Sequence, residues 1–264
     1  MAEISDVSFN GTDMKYARFG KGKKNFVIIP GLSVGSVAVA GDDIEKTFAQ
    51  FCDEYTCYLF DRRSNPPTDY SIHGMAEDTL CIMKHLGIDS TYFYGASQGG
   101  MITFDLALNH PEAALACVIA SSTDKCLGCM PTAIENWISC AEKHDSKALS
   151  ASFTESVYSN ATQQMLKEGN IVLPDQYTQK ELDDFLTIAK PIRNYDLSND
   201  IDKIKVPMLI IASEGDRIFS AEPSKRIAER TGCELYIYPD SYGHAVYDEA
   251  PDFVNRTYEY LNNH

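Results

Sequence analysis

The chain has 264 residues, 44% of them hydrophobic, which suits one large core or one core with an insertion. Its 23 Lys and Arg against 38 Asp and Glu give a net charge of −15, which argues against nucleic acid or an anionic membrane surface as a partner. No apolar run approaches the roughly 20 residues of a spanning helix, and Met1-Ala2-Glu3-Ile4-Ser5-Asp6 lacks the basic-then-apolar layout of a signal peptide.

The first elements predicted are two short strands, 4–10 and 12–19, joined at Asn10-Gly11, a dipeptide that favours tight hairpin turns. A turn at Lys21-Gly22-Lys23-Lys24 leads to a buried strand, Asn25–Ile29, which ends at Pro30-Gly31-Leu32-Ser33. Ile44, Phe48 and Phe51 stand at helical spacing, so a helix is expected near 36–51. Tyr55–Phe60 reads as another buried strand, closing on Asp61-Arg62-Arg63. After a Pro-rich loop, a helix over about 74–86 carries Met75, Leu80, Ile82, Met83 and Leu86, with Gly87 as its C-cap.

Tyr92-Phe93-Tyr94 has strand character and runs into Gly95-Ala96-Ser97-Gln98-Gly99. The apolar run from Met101 to Leu108 lacks strand alternation and suits a buried helix, ended by Asn109-His110-Pro111. Ser97 therefore sits where a strand turns sharply into a helix. Such a turn strains the serine backbone and presents its hydroxyl at the tip. Side chains at positions 95 and 99 would collide across it, which is why glycine suits both. The N–H groups at the start of the helix are free to receive negative charge.

A strand follows at Ala116–Ala120. From about 124 to 200 the pattern changes to short helical pieces: one centred on Trp137, one around Phe153 and Val157, and one carrying Leu182, Phe185, Leu186 and Ile188. No buried strand is evident there, and the stretch reads as an inserted helical cap. Alternation resumes with the strand Val206–Ala212 and the turn Ser213-Glu214-Gly215-Asp216. A helix near 222–231, a strand from Cys233 to Tyr238, the loop Pro239-Asp240-Ser241-Tyr242-Gly243-His244 and a C-terminal helix with Phe253, Val254, Tyr258 and Leu261 complete the chain. Strands alternating with helices imply an α/β fold with a mostly parallel sheet covered on both faces.

Cysteines number eight, several inside apolar runs, as Cys57 and Cys117 are. A chain of this length needs no disulfides, so reduced thiols and a cytoplasmic location are expected. Cys126-x-x-Cys129 has no second pair or His partner at zinc-site spacing and reads as two thiols in a loop.

Strand, Gly-x-Ser-x-Gly and helix together form a nucleophile elbow, and on these residues the chain resembles the α/β-hydrolase superfamily. The resemblance implies one α/β-hydrolase domain over 1–264, with the cap at 124–200 inserted in it. It implies a triad in the chain order nucleophile, acid, base, here Ser97, Asp216 and His244. Each follows the C-terminal end of a predicted parallel strand, where loops converge on one crevice. Among the six histidines only His244 follows a late strand in a Gly-His loop. The acid is less uniquely marked: Glu214, Asp124 and Asp240 are rivals to Asp216. The family's oxyanion hole maps onto the N–H groups of Leu32 and Gln98, with Pro-Gly here where relatives often carry His-Gly. Asp61-Arg62-Arg63-Ser64-Asn65 stands where many relatives carry Asp-x-Arg-Gly-x-Gly-x-Ser, a scaffold feature without an implied catalytic role.

The expected activity is a serine hydrolase that cleaves a small-molecule carboxylic ester through an acyl-enzyme on Ser97. No metal or organic cofactor is required, because the triad supplies nucleophile and acid–base chemistry itself. Trp137, Phe153, Phe185 and Met130 are the large apolar cap residues expected to contact substrate. Lactonase, carbon–carbon bond hydrolase, aminopeptidase and acyltransferase chemistry would use the same triad. A non-catalytic ligand-binding protein of the same fold is the rival from another class. Oligomeric state is not legible.

Overall fold

A computed structural model describes residues 1–9, 11–171 and 173–264. Asn10, half of the expected hairpin dipeptide, lies outside the described residues. On either side of it, β1 (Glu3–Phe9) and β2 (Thr12–Gly20) pair antiparallel, and Gly11 has φ +74°. The remaining strands are β3 (Lys24–Ile29), β4 (Tyr55–Ser64), β5 (Thr91–Ala96), β6 (Ala114–Ala120), β7 (Met208–Ser213) and β8 (Glu234–Tyr238). They form one sheet in the order β1-β2-β4-β3-β5-β6-β7-β8. From β4 to β8 every neighbouring pair is parallel, while β2 is antiparallel to both β1 and β4.

Burial on both faces explains the continuous apolar runs. Every residue of β5 and of β7 is buried. Alternate side chains feed two cores: Val27, Ile29, Phe93, Ile119 and Ile210 on one face, Phe26, Ile28, Tyr94, Val118 and Ile211 on the other. The first core is covered by α2 (Ile72–His85) and α3 (Gln98–Asn109), the second by Phe48, Phe51 and α10 (Phe253–Asn262). Ser71 caps α2 by accepting from the Gly74 N–H. Leu86 is the C-cap and Gly87, at φ +71°, is the residue just beyond it. The N–H groups of Gly87 and Ile88 donate back to Lys84 and Met83, a Schellman ending.

Three expectations need correction. The helix near 36–51 is broken into a 3₁₀ turn (Ala38–Ala40), α1 (Gly41–Thr47) and a second 3₁₀ turn (Ala49–Phe51). Ile44, Phe48 and Phe51 still face the core, and Phe51 stacks on Phe26 with centroids 4.6 Å apart. β4 runs on to Ser64 because Arg63 and Ser64 pair with Met14 and Asp13 of the hairpin, a partner that an apolar pattern does not reveal. The third correction lies between β6 and β7. Helices α4 (Thr132–Glu142), α5 (Ser146–Val157) and α7 (Gln179–Ala189) match the three expected pieces. A fourth, α6 (Asn160–Glu168), was not anticipated, since no residue of it is buried and it carries little apolar signal. The other short helices are α8 (Ala221–Thr231) and α9 (Val246–Glu249).

The two ends of this helical segment meet at an isolated antiparallel bridge, Lys125 to Asp196. Lys125 Nζ lies 3.0 Å from Asp196 Oδ2, and Asp196 Oδ1 accepts from the Ser198 N–H and hydroxyl. These hydrogen bonds, with the lysine charge, hold the Asp196 carboxyl down at about 2. A carboxyl lowered on folding stabilises the fold above its unfolded value near 4 and loses that contribution as pH falls through the folded value. After discounting for partial exposure, the contribution is on the order of 1–2 kcal/mol. Asp196→Ala is therefore expected to lower Tm by a few degrees at neutral pH. The gap to wild type should narrow as pH falls from about 4 towards 2, read by thermal melts. A gap independent of pH would assign the loss to packing.

Candidate active site

Pairing register levels the strand ends. Ala96 lies opposite Ala120, Ala120 opposite Ile211, and Ser213 opposite Tyr238. Whatever follows β5, β7 and β8 therefore emerges at one edge of the sheet.

Ser97 follows β5 and is the N-cap of α3, with φ 54° and ψ −117°. A non-glycine residue there stores on the order of 1–3 kcal/mol of strain. Its backbone is fixed on both sides: the N–H donates to Ala120 O at 2.9 Å, and the carbonyl accepts from the Ser122 hydroxyl at 2.8 Å. A Cβ on Gly95 would lie 2.5 Å from Gly99 O, and one on Gly99 would lie 2.0 Å from Ile29 O. The two glycines thus let the turn close and let α3 start against the end of β3. The Ser97 side chain remains partly exposed.

The loop after β7 is set by another close approach. A Cβ on Gly215 would stand 2.3 Å from the carbonyl oxygens of Asp240 and Tyr242, so the loops after β7 and β8 touch backbone to backbone. The Ser213 hydroxyl donates to Tyr242 O at 2.6 Å and locks them together. Asp216 Oδ1 accepts from the N–H groups of Ile218 at 2.7 Å and Phe219 at 2.9 Å. That leaves Oδ2 for His244, whose Nδ1 is 2.8 Å away. The side chains of His244 and Asp216 are only 3% and 1% exposed, so water does not compete for this bond. Phe219 packs against the imidazole with centroids 5.7 Å apart. The loop is also tied to α5, through Ala245 N–H to Val157 O at 3.0 Å.

The rival acids are engaged elsewhere. Asp124 is fully buried and paired with Arg226. Glu214 pairs with Lys225 at 3.0 Å, and Asp240 is exposed on its loop. Of the other histidines, His73 contacts Asp105, His110 contacts Glu77, and His264 contacts its own helix end.

The loop carrying Leu32 lies against the serine, for a Cβ on Gly31 would be 3.2 Å from Ser97 Cβ and 3.8 Å from its Oγ. Among the described residues, the N–H groups of Leu32 and Gln98 have no acceptor. Gln98 is the first residue of α3, where N–H groups lack intrahelical partners. One feature was not foreseen from the sequence. Arg62 Nη2 donates to Pro30 O at 2.7 Å and to Gln98 Oε1 at 3.3 Å, and Gln98 Nε2 donates to Ile188 O at 2.6 Å. The signal was the Asp61-Arg62 pair at the end of β4.

Trp137 and Phe153 stack with centroids 3.9 Å apart, and Phe185 packs on Phe153 at 6.0 Å. Trp137 and Phe185 are buried, while Phe153 and Met130 are partly exposed against the same core. Phe185 also lines a cavity of about 350 Å³ together with Ser33, Ser36, Arg62 and Ile188, between the Leu32 loop and α7. A larger cavity of about 680 Å³ lies beside His73, Asp105, Lys190 and Tyr195, and none of Ser97, Asp216 or His244 lines either cavity. All eight cysteines are free thiols, Cys126 buried and Cys129 exposed. Among the described residues no three His, Cys, Asp or Glu side chains cluster as metal ligands, and no helix is long and apolar enough to cross a membrane.

The chain belongs to the alpha/beta hydrolase fold family, which residues 24–251 match, and is an enzyme of this hydrolase class. It is 23% identical to RutD of Pseudomonas savastanoi pv. phaseolicola, named provisionally as a carbamate hydrolase, over 74% of this chain and 77% of that protein. It is 21% identical to 3-oxoadipate enol-lactonase 2 of Acinetobacter baylyi, over 85% of this chain and 82% of that protein. Among solved structures, MGS-M2, an alpha/beta hydrolase from a Medee basin deep-sea metagenome library, superposes with a TM-score of 0.86 at 22% identity, covering 98% of this chain and 97% of the other.

Proposed function

We propose that the protein is a serine hydrolase that cleaves a small carboxylic ester through an acyl-enzyme on Ser97. The observation that carries this reading is the buried 2.8 Å contact between His244 Nδ1 and Asp216 Oδ2, on the sheet edge from which the Ser97 elbow emerges. With Nδ1–H donating to Asp216, the other ring nitrogen holds a lone pair for the serine proton. Ser97 Oγ attacks the acyl carbonyl, and His244 takes the hydroxyl proton. The oxyanion is received by the Leu32 and Gln98 N–H groups. Collapse expels the alcohol, which leaves with the proton from His244. Water, deprotonated by His244, then attacks the acyl-enzyme, and the acid is released as Ser97 regains its proton. The free thiols fit work in a reducing cytoplasm.

A lactone is a second reading, favoured by the alignment with an enol-lactonase over 85% of this chain. A lactone is a cyclic ester, so the same steps open its ring without a departing alcohol. The helices between 124 and 200 act in this proposal as a cap that sets the acyl group accepted. Phe185 is the residue best placed to do so, because it faces the cavity beside the Leu32 loop.

The test is a panel of p-nitrophenyl esters of rising chain length, lactones and aryl carbamates, run on wild type and on Trp137→Ala, Phe153→Ala, Phe185→Ala and Met130→Ala. Wild type is expected to turn over at least one ester or lactone. Both Phe185→Ala and Trp137→Ala should lower Tm, since truncating a buried aromatic costs about 3–5 kcal/mol, and Phe185→Ala should in addition shift the ratio of rates towards longer acyl chains. No turnover across the panel would sink the ester reading. An unchanged ratio in all four variants would make the cap structural.

A further inference from the structure

We propose that Arg62 and the side chain of Gln98 are positioning residues that hold the two halves of the oxyanion hole together and link them to helix α7. The inference rests on the serine-hydrolase reading above, because it takes the Leu32 and Gln98 N–H groups as the oxyanion donors.

Those donors come from separate segments, the loop after β3 and the first turn of α3. An oxyanion hole works only if both stay aimed at the point where charge develops, within a few tenths of an ångström. A single nitrogen spans them here. Arg62 Nη2 donates to Pro30 O, two residues before Leu32, and to Oε1 of Gln98, the residue that carries the other donor. The carboxamide has one orientation that satisfies its surroundings. Oε1 must face the guanidinium, and Nε2 must face the Ile188 carbonyl, 2.6 Å away. Gln98 is 1% exposed, so no water replaces either partner. Ile188 is the penultimate residue of α7, and the 3₁₀ turn Lys190–Asn194 follows directly, with Pro191, which has no N–H to donate back. Gln98 donates to this carbonyl, and the end of α7 is thereby fastened to the elbow.

Arg62 is an unusual brace. Among the described residues it makes no direct ion pair; burial lowers its affinity for its proton, and the neighbouring Asp61 carboxylate opposes that. A half-buried cation with no direct ion pair, only the nearby Asp61 charge, is a costly way to fix a loop. It is a favourable neighbour for negative charge that appears only during reaction. An apolar side chain of similar length would fill the space and do neither job.

The roles are separable by three variants of the full chain. Gln98→Leu removes both arms of the link. Gln98→Glu keeps an acceptor for Arg62 but turns a carboxylate oxygen on the Ile188 carbonyl. Arg62→Met removes the guanidinium alone. Each is assayed for kcat and KM on a p-nitrophenyl ester that wild type hydrolyses, for inhibition by an alkylboronic acid, for fluorophosphonate labelling of Ser97, and for Tm. The boronic acid forms a tetrahedral anion on the serine and so reports on the hole. Gln98→Leu and Arg62→Met are expected to lose about 10-fold or more in kcat with KM within about 3-fold, and boronate affinity should fall in step. Gln98→Glu should lose less than Gln98→Leu if the Arg62 arm dominates, and as much if the α7 arm does; either supports a positioning role. It also guards against a Gln98→Leu chain that fails to fold. If Ser97 is labelled in wild type and all folded variants keep kcat and boronate affinity within about 2-fold, with Tm alone lowered, the positioning role is overturned and the residues merely brace the fold. A wild type that takes neither phosphonate nor boronate at Ser97 would overturn the hydrolase reading beneath it.

Discussion

Replacing Ser97 by alanine is expected to abolish the covalent adduct with a fluorophosphonate and to cut kcat by about 10⁶-fold, the scale lost when a triad serine is removed. The variant loses one oxygen and nothing else. The backbone bonds that shape the elbow, Ser97 N–H to Ala120 O and Ser122 hydroxyl to Ser97 O, do not involve the removed atom. Tm should therefore stay close to wild type. Ser97→Gly offers a sharper contrast, because glycine adopts φ near 54° freely. It should be equally inactive yet no less stable, as the stored strain of about 1–3 kcal/mol is relieved. Intact-mass measurement and thermal melts decide the matter together. An adduct of equal yield on wild type and Ser97→Ala would move the nucleophile to another residue.

Legibility in the sequence followed the physics of each element. Strands buried on both faces declare themselves as apolar runs, and β3, β5, β6 and β7 were placed to within two residues. The elbow was legible because a Cβ at position 95 or 99 would stand 2.5 Å or 2.0 Å from a backbone carbonyl oxygen, so both must be glycine. What escaped was set by partners distant in sequence. The extension of β4 to Ser64 depends on the hairpin beside it. Helix α6 has no fully buried residue and is mostly polar, so it offers no apolar run to mark it. The Gln98 carboxamide meets a carbonyl 90 positions later, and nothing local to Gln98 says so. Among the candidate acids the sequence favoured Asp216, after a strand and a glycine, over Asp124, Glu214 and Asp240, but it does not show their partners. The three rivals have Arg226, Lys225 or open solvent as neighbours, facts of packing.

That distinction makes Asp216→Asn the most pointed variant. It is expected to fold and to lose on the order of 10⁴ in kcat, the cost of the equivalent change in serine proteases. The geometry says which way the amide must turn. Asp216 Oδ1 accepts two N–H groups, from Ile218 and Phe219, at 2.7 and 2.9 Å. An NH₂ placed there would set donors against donors in a buried site. The amide oxygen therefore keeps the Oδ1 position, and the NH₂ takes the Oδ2 position, 2.8 Å from His244 Nδ1. Facing a donor, Nδ1 must accept, so the ring proton moves to the other nitrogen. The imidazole is then held in the tautomer that has no lone pair for Ser97, and the carboxylate charge that would stabilise the imidazolium is gone. Asp124→Asn, Glu214→Gln and Asp240→Asn should each keep activity within about 10-fold, since their carboxylates are engaged elsewhere or solvated. Of these, Asp124→Asn should lower Tm, because it breaks a pair whose acid is fully buried. kcat on an ester, with circular dichroism to verify folding, separates the four. An inactive Asp124→Asn beside an active Asp216→Asn would put the acid after β6 and reduce the buried His244–Asp216 contact to packing.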